Sequence, residues 1–214
     1  NFKKLIVIGS AVELMHSYSL IHDDLPAMDN DNLRRGKPTV HKKFNEFTAI
    51  LAGNSLLTSA FEILSSKDLN VLQRHKNELI KTLSICSGHS GLAGGQYFDL
   101  SFEKKKISKN KILNMQRKKT GELFGFCCES VGIIKGLSFS KRKKLRELGI
   151  NIGLLFQTID DLIDYKGDSS IVGKPTKRDI KKGKATLVNL LGYEKTFNFA
   201  KNLKKNIEKK IKAY

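Results

Sequence analysis

Residues 20–39 read LIHDDLPAMDNDNLRRGKPT, placing Asp23, Asp24, Asp29 and Asp31 close together with Arg34 and Arg35 directly behind them. Carboxylates this close raise one another's pKa and repel, so the stretch is unfavourable unless something compensates. Metal ions bridging to an anionic ligand would compensate for both halves, the metal taking the carboxylates and the anion taking the arginines.

A second acidic cluster stands at FQTIDDLIDYKGD (156–168). Asp160 and Asp164 are four residues apart, so on a helix they share a face one turn from each other, with Asp161 to the side. The flanking Leu154, Leu155, Phe156, Ile159, Leu162 and Ile163 predict a largely buried helix. Buried unpaired carboxylates are costly, and Mg²⁺, which prefers oxygen ligands and shares them with substrate phosphates, is a fitting neutraliser. Arg34, Arg35, Lys174, Lys177, Arg178 and Lys184 would then hold phosphate oxygens, arginine by a bidentate fork and lysine as a point charge. Either cluster alone could be a surface acid cap or a set of salt-bridge partners. Two of them, each on an apolar helix and each followed by a basic, glycine-bearing loop, favour the metal–diphosphate reading.

The elements that must position these residues are helical. Apolar residues make up 40% and charged residues 28% of the 214, with three prolines and no tryptophan, the composition of a globular protein. The apolar spacing predicts helices over 5–24, 39–64, 71–87, 109–132, 140–165, 184–191 and 194–212. Pro26 ends the first, since it lacks an N–H and restricts the residue before it. SGHSGLAGG (87–95) is expected to be a loop or a kink that allows close backbone approach. KGDSSIVGKPTKRDIKKGK (166–184) reads as a basic loop. No repeat or linker divides the chain, which predicts one domain over 1–214.

Net charge is +18, which could mean a nucleic-acid or membrane-surface partner. The lysines lie in scattered runs without interleaved aromatics, so solvated helix faces are the better reading and no nucleic acid is expected. Cys86, Cys127 and Cys128 form no CxxC pair and are odd in number, so free thiols in a reducing cytoplasm are expected. No apolar run was long enough, on the sequence, to span a bilayer, and Glu13 and His16 interrupt the signal-peptide-like start.

DDLPAMD and DDLID, in this order and at this separation, resemble the two aspartate-rich motifs of the trans-isoprenyl diphosphate synthases. GLAGGQYFDL, KTGELF, GLLFQTIDD and GKPTKRDIKKGKATLVNLLG resemble that family in the same order. The likeness runs from about residue 12 to 192 and is greatest to bacterial farnesyl diphosphate synthases and short-chain geranylgeranyl enzymes. It implies an all-α bundle with a central cavity, a homodimer, and head-to-tail condensation of an allylic diphosphate with isopentenyl diphosphate. Mg²⁺ assists departure of the allylic diphosphate, the isopentenyl double bond attacks the resulting cation, and a proton is lost, the departing diphosphate being one candidate acceptor. Preplaced cations suit this chemistry because negative charge grows on the leaving group.

Carried over by position, Asp23, Asp29 and Asp160 resemble direct metal ligands. Asp24, Asp161 and Asp164 resemble a supporting shell that reaches metal directly or through water. Arg34, Lys119, Lys174 and Lys184 resemble a clamp on the allylic diphosphate, and Arg35 and His16 part of the isopentenyl diphosphate site. Thr120 and Gln157 would present oxygens to the cation, and Gln96 and Asp99 would line the pocket. His16 could instead be a core histidine, though it lies seven residues before Asp23 and so on the same helix face. Gln157 could equally fill a buried polar gap, and Phe44, Phe47 and Phe61 are expected in the core.

The helices that precede the first motif in relatives, with their GKRxRP-like segment, have no counterpart here, and the closing region is shortened. The expectation is therefore a domain lacking its N-terminal helices and the end of its C-terminal region. A non-catalytic partner subunit would be expected to lose one acidic motif, and both are present. Helix geometry places Ser19 beneath Asp23 as a floor for the growing chain, whereas the resemblance assigns that floor to Tyr18. A large aromatic there goes with a short product, so fifteen carbons are expected and twenty are the alternative.

Overall fold

The computed structural model describes residues 2–166, 179 and 182–212. They fall into two compact units, 1–81 and 82–214. Described secondary structure is helical except for one two-stranded ribbon, as the periodicity predicts.

In the first unit, α1 (Phe2–Asp23) packs on α3 (Glu46–Ser65). The buried stripe of α1 is Ile8, Ala11, Met15 and Ser19, and that of α3 is Ala49, Gly53, Ala60 and Leu64. Small residues on α3 let the helices approach closely; a Cβ on Gly53 would fall on the imidazole of His22. Asn45 caps α3 by accepting from the Thr48 amide at 2.9 Å. That cap separates α3 from α2 (Val40–Lys43), where a single helix over 39–64 was expected. Between α1 and α2, Leu33–Arg34 (β1) pairs antiparallel with Lys37–Pro38 (β2). The ribbon's turn is Arg35-Gly36, both at positive φ (51° and 76°), the backbone that a two-residue hairpin connection demands. Phe44 and Phe47, expected in the core, are exposed, as are Ile50 and Leu51.

α1 and α3 are also long and apolar enough to cross a membrane by length and composition, with mean hydropathies of 1.3 and 1.4. This corrects the expectation that no stretch is. The same composition belongs to core helices, and each of these two packs on the other.

The second unit follows α4 (Gln73–Ser87) with α5 (Leu92–Ser101), α6 (Lys109–Gln116), a π-helical turn (Arg117–Gly121), α7 (Glu122–Ile134), α8 (Phe139–Lys166), α9 (Leu187–Leu191) and α10 (Tyr193–Ile211). One expectation needs correction: the helix expected over 109–132 is interrupted by the π-turn. The glycine-rich stretch turns at 88–91 and then enters α5, where Gly95 makes the close backbone approach expected of it. A cluster of Ile112, Met115, Ala185 and Leu187 joins α6 to the start of α9 and the chain just before it, and Leu162, Val188 and Ala200 join α8, α9 and α10. α8 is apolar on more faces than it buries: Phe156, Ile159 and Ile163 are exposed, while Asp161, Leu162 and Asp164 are buried. All three cysteines are free, Cys86 being buried.

α7 and α8 meet backbone to backbone. A Cβ on Gly149 would collide with the carbonyl of Phe124 and the Cα of Gly125, and one on Gly153 would meet the Cα of Gly121 at 2.8 Å. Backbone cannot yield as a side chain tip can. Gly149→Ala is therefore expected to cost about 3 kcal/mol, the upper end for overpacking, and to lower Tm by roughly 10 °C. A thermal melt within 2 °C of the parent would show that the helices separate easily.

Candidate functional site

In the first unit, α1 ends at Asp23 and the chain turns back on itself. The Leu25 amide donates to the His22 carbonyl, Asp29 to that of Asp23 and Asp31 to that of Asp24, at 2.9–3.2 Å. These bonds set Asp29 beside the end of α1 that carries Asp23. Asp24 is 3% exposed and takes Arg34 on both oxygens: Nε lies 3.0 and 2.9 Å from them and Nη2 2.6 Å from Oδ1. Arg34 also lies 4.0 Å from Asp31. The hydrogen bond to Asp24 raises the Arg34 pKa further, so its charge is permanent. Thr39 ties the far end of the ribbon down by donating to the Asp31 carbonyl at 2.8 Å.

His16 and Asp23 share α1. Burial lowers the His16 pKa; Glu13 opposes this, while Arg35 and Arg34 lower it further. His16 therefore lies within electrostatic reach of Arg34 and Arg35. Tyr18 is half-buried with its ring edge-on to His22, centroids 5.0 Å apart. Burial and then Asp23 raise its pKa. Ser19 belongs to the buried stripe and donates to the His16 carbonyl at 2.8 Å.

In the second unit, one carboxylate gathers two lysines. Asp99, on α5, accepts at Oδ2 from Lys119 Nζ at 2.6 Å and from Lys184 Nζ at 2.9 Å. Lys184 also lies 3.0 Å from Glu103. Burial would raise the Asp99 pKa, but Lys119 and Lys184 outweigh it and hold the group below the usual value. The π-turn delivers Lys119. It can approach α5 only because Gly95 has no side chain, since a Cβ there would fall on the Lys119 backbone. Lys184 is set by its amide, which donates to the Asp179 carbonyl at 2.8 Å, and by Asn189, which donates to its carbonyl at 2.9 Å.

A polar chain runs beside this group. The Thr120 hydroxyl donates to Gln157 Oε1 at 2.9 Å, Gln157 Nε2 to Asp161 Oδ1 at 2.9 Å, and Gln116 Nε2 to Asp161 Oδ2 at 2.7 Å. Asp161 is 2% exposed. Burial pushes its pKa to about 7, with Asp179 and Asp160 adding to the rise against the two amide hydrogen bonds. The Asp179 amide donates to Asp164 at 3.1 Å. Burial, then repulsion by Asp164 and Asp99, pushes Asp179 up to about 6. Gln96 is buried on α5, and neither end of its amide has a partner within the described residues.

Asp99, Lys119, Thr120, Gln157, Asp160, Asp161, Asp164 and Lys184 are thus brought together in one unit, and His16, Tyr18, Asp23, Asp24, Asp29, Arg34 and Arg35 in the other. Lys174, Lys177 and Arg178 lie outside the described residues. Asp179, Gln116 and Glu103 were not foreseen. Asp179 could have been, as the one acid within the basic stretch GKPTKRDIKKGK. Among the described residues no three His, Cys, Asp or Glu side chains form a ready-made metal site. The donors present are all carboxylate oxygens, and the mutual repulsion of Asp160, Asp161, Asp164 and Asp179 is what a divalent cation relieves. That donor set fits Mg²⁺, which completes its shell with water and phosphate oxygens.

The polyprenyl synthetase family profile matches residues 1–213. This chain belongs to that family. It is 45% identical over 186 residues to the farnesyl diphosphate synthase of Micrococcus luteus, covering 87% of this chain and 63% of that protein. To the farnesyl diphosphate synthase of Escherichia coli it is 42% identical over 198 residues, covering 91% and 66%. Its fold is similar to that of the Helicobacter pylori geranyltransferase solved with magnesium and isoprenyl diphosphate, with a TM-score of 0.88, 38% identity, and coverage of 97% of this chain and 67% of that one. The polyprenyl synthetase chain described here spans just under two thirds of the length of those two synthases.

The Asp99 hub yields a pH-dependent test. Its folded pKa is depressed, so its stabilisation is present above the unfolded value near 4 and is lost as pH falls through the folded one. Asp99→Asn leaves two cations without their shared carboxylate and should cost about 3 kcal/mol at pH 7, as for a broken buried pair. The gap between variant and parent in chemical denaturation should narrow steadily below pH 4. A gap that stays constant down to pH 2.5 would mean that the charge of Asp99 is not what holds the lysines.

Proposed function

We propose that this chain carries the catalytic machinery of a short-chain trans-prenyltransferase that joins dimethylallyl or geranyl diphosphate to isopentenyl diphosphate, with farnesyl diphosphate as its product. The observation that carries this reading is the pairing of Lys119 and Lys184 on Asp99 beside the Asp160–Asp164 carboxylates. Cations and metal-binding oxygens stand together there, as a magnesium diphosphate requires. The identities to farnesyl diphosphate synthases support the substrate class.

Asp23 and Asp29 of the first motif and Asp160 and Asp164 of the second would hold Mg²⁺. Bound there, Mg²⁺ supplies Lewis-acid stabilisation of a departing diphosphate. In the second unit Lys119 and Lys184 would donate to diphosphate oxygens, a hold that strengthens as negative charge develops there; Arg34 would offer a phosphate the same kind of contact in the first unit. Arg34 does so while Asp24 fixes its guanidinium. Thr120 and Gln157 turn oxygen lone pairs toward the allylic cation, and the bond from Gln157 Nε2 to Asp161 fixes which end of the amide faces Thr120. Arg35 and neutral His16 receive isopentenyl diphosphate, and Gln96 lines the pocket. Homodimeric assembly and a cytoplasmic location complete the proposal.

Tyr18 is the better floor for the product. Ser19 is committed to the α1–α3 stripe, whereas the half-buried Tyr18 ring lies outside it and senses Asp23. Removing the ring opens apolar volume that a longer chain can fill.

Incubation with dimethylallyl diphosphate, isopentenyl diphosphate and Mg²⁺ is expected to give a fifteen-carbon product on chromatography after dephosphorylation; no condensation product overturns the reading. Asp23→Ala and Asp160→Ala should each lower kcat by about a hundredfold or more with unchanged circular dichroism, as for loss of charge stabilisation in the transition state. Near-normal turnover would remove these residues from the metal site. Tyr18→Ala should lengthen the product by one or more five-carbon units; an unchanged product distribution from a folded variant would place the floor elsewhere.

A further inference from the structure

An ion-pair chain flanks the π-turn and touches none of the groups assigned to chemistry. Arg117, the first residue of the turn, donates to both oxygens of Glu147 on α8, Nη2 to Oε1 at 2.6 Å and Nη1 to Oε2 at 3.2 Å. Its Nε lies 3.6 Å from Glu122, the residue immediately after the turn. Glu122 accepts in turn from Arg146 on α8, and Arg146 donates to Glu129 at 2.8 Å. The two ends of the π-turn are therefore stapled to each other through Arg117 and Glu122, and each is stapled to α8. Lys119 and Thr120 lie between the staples.

A π-turn is rare, usually appears as a single turn, and is found where function demands it. The extra residue alters the direction of every side chain within the turn, so its persistence determines where Lys119 and Thr120 point. The chain of charges is not needed to bring α7 and α8 together, because the glycine contacts at Gly121, Gly125, Gly149 and Gly153 do that. Nor does the outer pair add much stability. The Arg117 and Glu147 side chains are 40% and 38% exposed, and pairs this open contribute little. What the pair does contribute is direction. A guanidinium grips both oxygens of one carboxylate in a fixed plane, which an ammonium cannot. Arg117 is held charged first by its hydrogen bond to Glu147, and the Glu147 pKa is lowered by the same contact.

We propose that Arg117 and Glu122 are positioning residues that hold the π-turn in register, so that the Lys119 ammonium and the Thr120 hydroxyl stay aimed at Asp99 and Gln157. The assignment deepens the prenyltransferase reading and rests on it for the catalytic consequence, though not for the structural one.

The two are tested separately on the full chain. Hydrogen exchange of Arg117→Met and Glu122→Gln is followed by mass spectrometry. Amides of 117–121 should exchange at least about tenfold faster than in the parent, while those of 126–132 and 148–158 stay protected, because local openings are governed by local contacts. Kinetics are measured alongside. KM for the allylic diphosphate should rise about tenfold in both variants, the usual scale for residues that orient a binding group, with the KM for isopentenyl diphosphate unchanged and, for Arg117→Met, Tm within a few degrees. Arg117→Lys, which keeps the charge but lacks the planar fork that takes both oxygens of Glu147, should recover part of the affinity. Unchanged exchange across 117–121 overturns the proposal, as does uniform loosening of α7 and α8, which would mark the network as packing alone. If the parent shows no condensation activity, the prenyltransferase reading falls while the exchange data still decide the role of Arg117 and Glu122.

Discussion

The buried carboxylate of Asp99 is the constraint on which the second unit depends. It draws together two ammonium groups from the π-turn and from the chain before α9, twenty and eighty-five residues away. Two lysines left alone at that spacing would repel, and each would lose hydration. A single acceptor between them offsets both costs and holds the group charged against its burial. Much of the surrounding backbone serves this contact. Gly95 lets α5 reach the π-turn, the Asp179 carbonyl and Asn189 fix Lys184, and the Gly183 carbonyl accepts from Lys104 at 2.8 Å.

The first unit solves the same problem in the same way. Asp24 is buried and both its oxygens serve Arg34, so the middle carboxylate of the acidic motif orients a cation while Asp23 and Asp29 stay at the end of α1. Arg35, next in sequence, is exposed and takes the positive φ of the hairpin turn. A non-glycine residue there costs of order 1 kcal/mol, and conformations of this kind collect at functional sites. Adjacent arginines thus project differently because one sits in a strand and the other in the turn.

Helix content, the ends of most helices and both acidic motifs were legible because they rest on local rules: apolar periodicity, the proline stop at residue 26, and carboxylates four apart. What was missed rests on contacts distant in sequence. The π-turn leaves the 3.6-residue rhythm of 109–132 almost undisturbed, and only Lys119 and Thr120 meeting Asp99 and Gln157 reveals it. SGHSGLAGG was read as a loop or a close backbone approach, and the approach is made at Gly95; that it happens inside a helix was not legible, because glycine disfavours helix and the partner, Lys119, is distant in sequence. Phe44 and Phe47 were placed in the core by their spacing, but the stripe that α3 buries is Ala49, Gly53, Ala60 and Leu64. Asp179 went unnoticed because the cations around it masked its role.

A net charge of +18 reads in the sequence as solvated helix faces rather than as a property of a site. The site follows a different logic. Arg34, Lys119 and Lys184 are each paired with a carboxylate, so their charges are locally balanced and their positions do not depend on a ligand to suppress repulsion. Lys204 of α10, by contrast, pairs with Glu208 on its own helix at 3.7 Å, and both members are exposed. Water and salt screen such charges within about 10 Å. Net charge therefore describes the surface, whereas the affinity for a diphosphate that we propose would depend on the few cations whose direction a buried carboxylate has already set. Preorganised groups of this kind stabilise developing charge without reorganising as it forms, which is why the acidic residues around these cations matter to anion binding as much as the cations do.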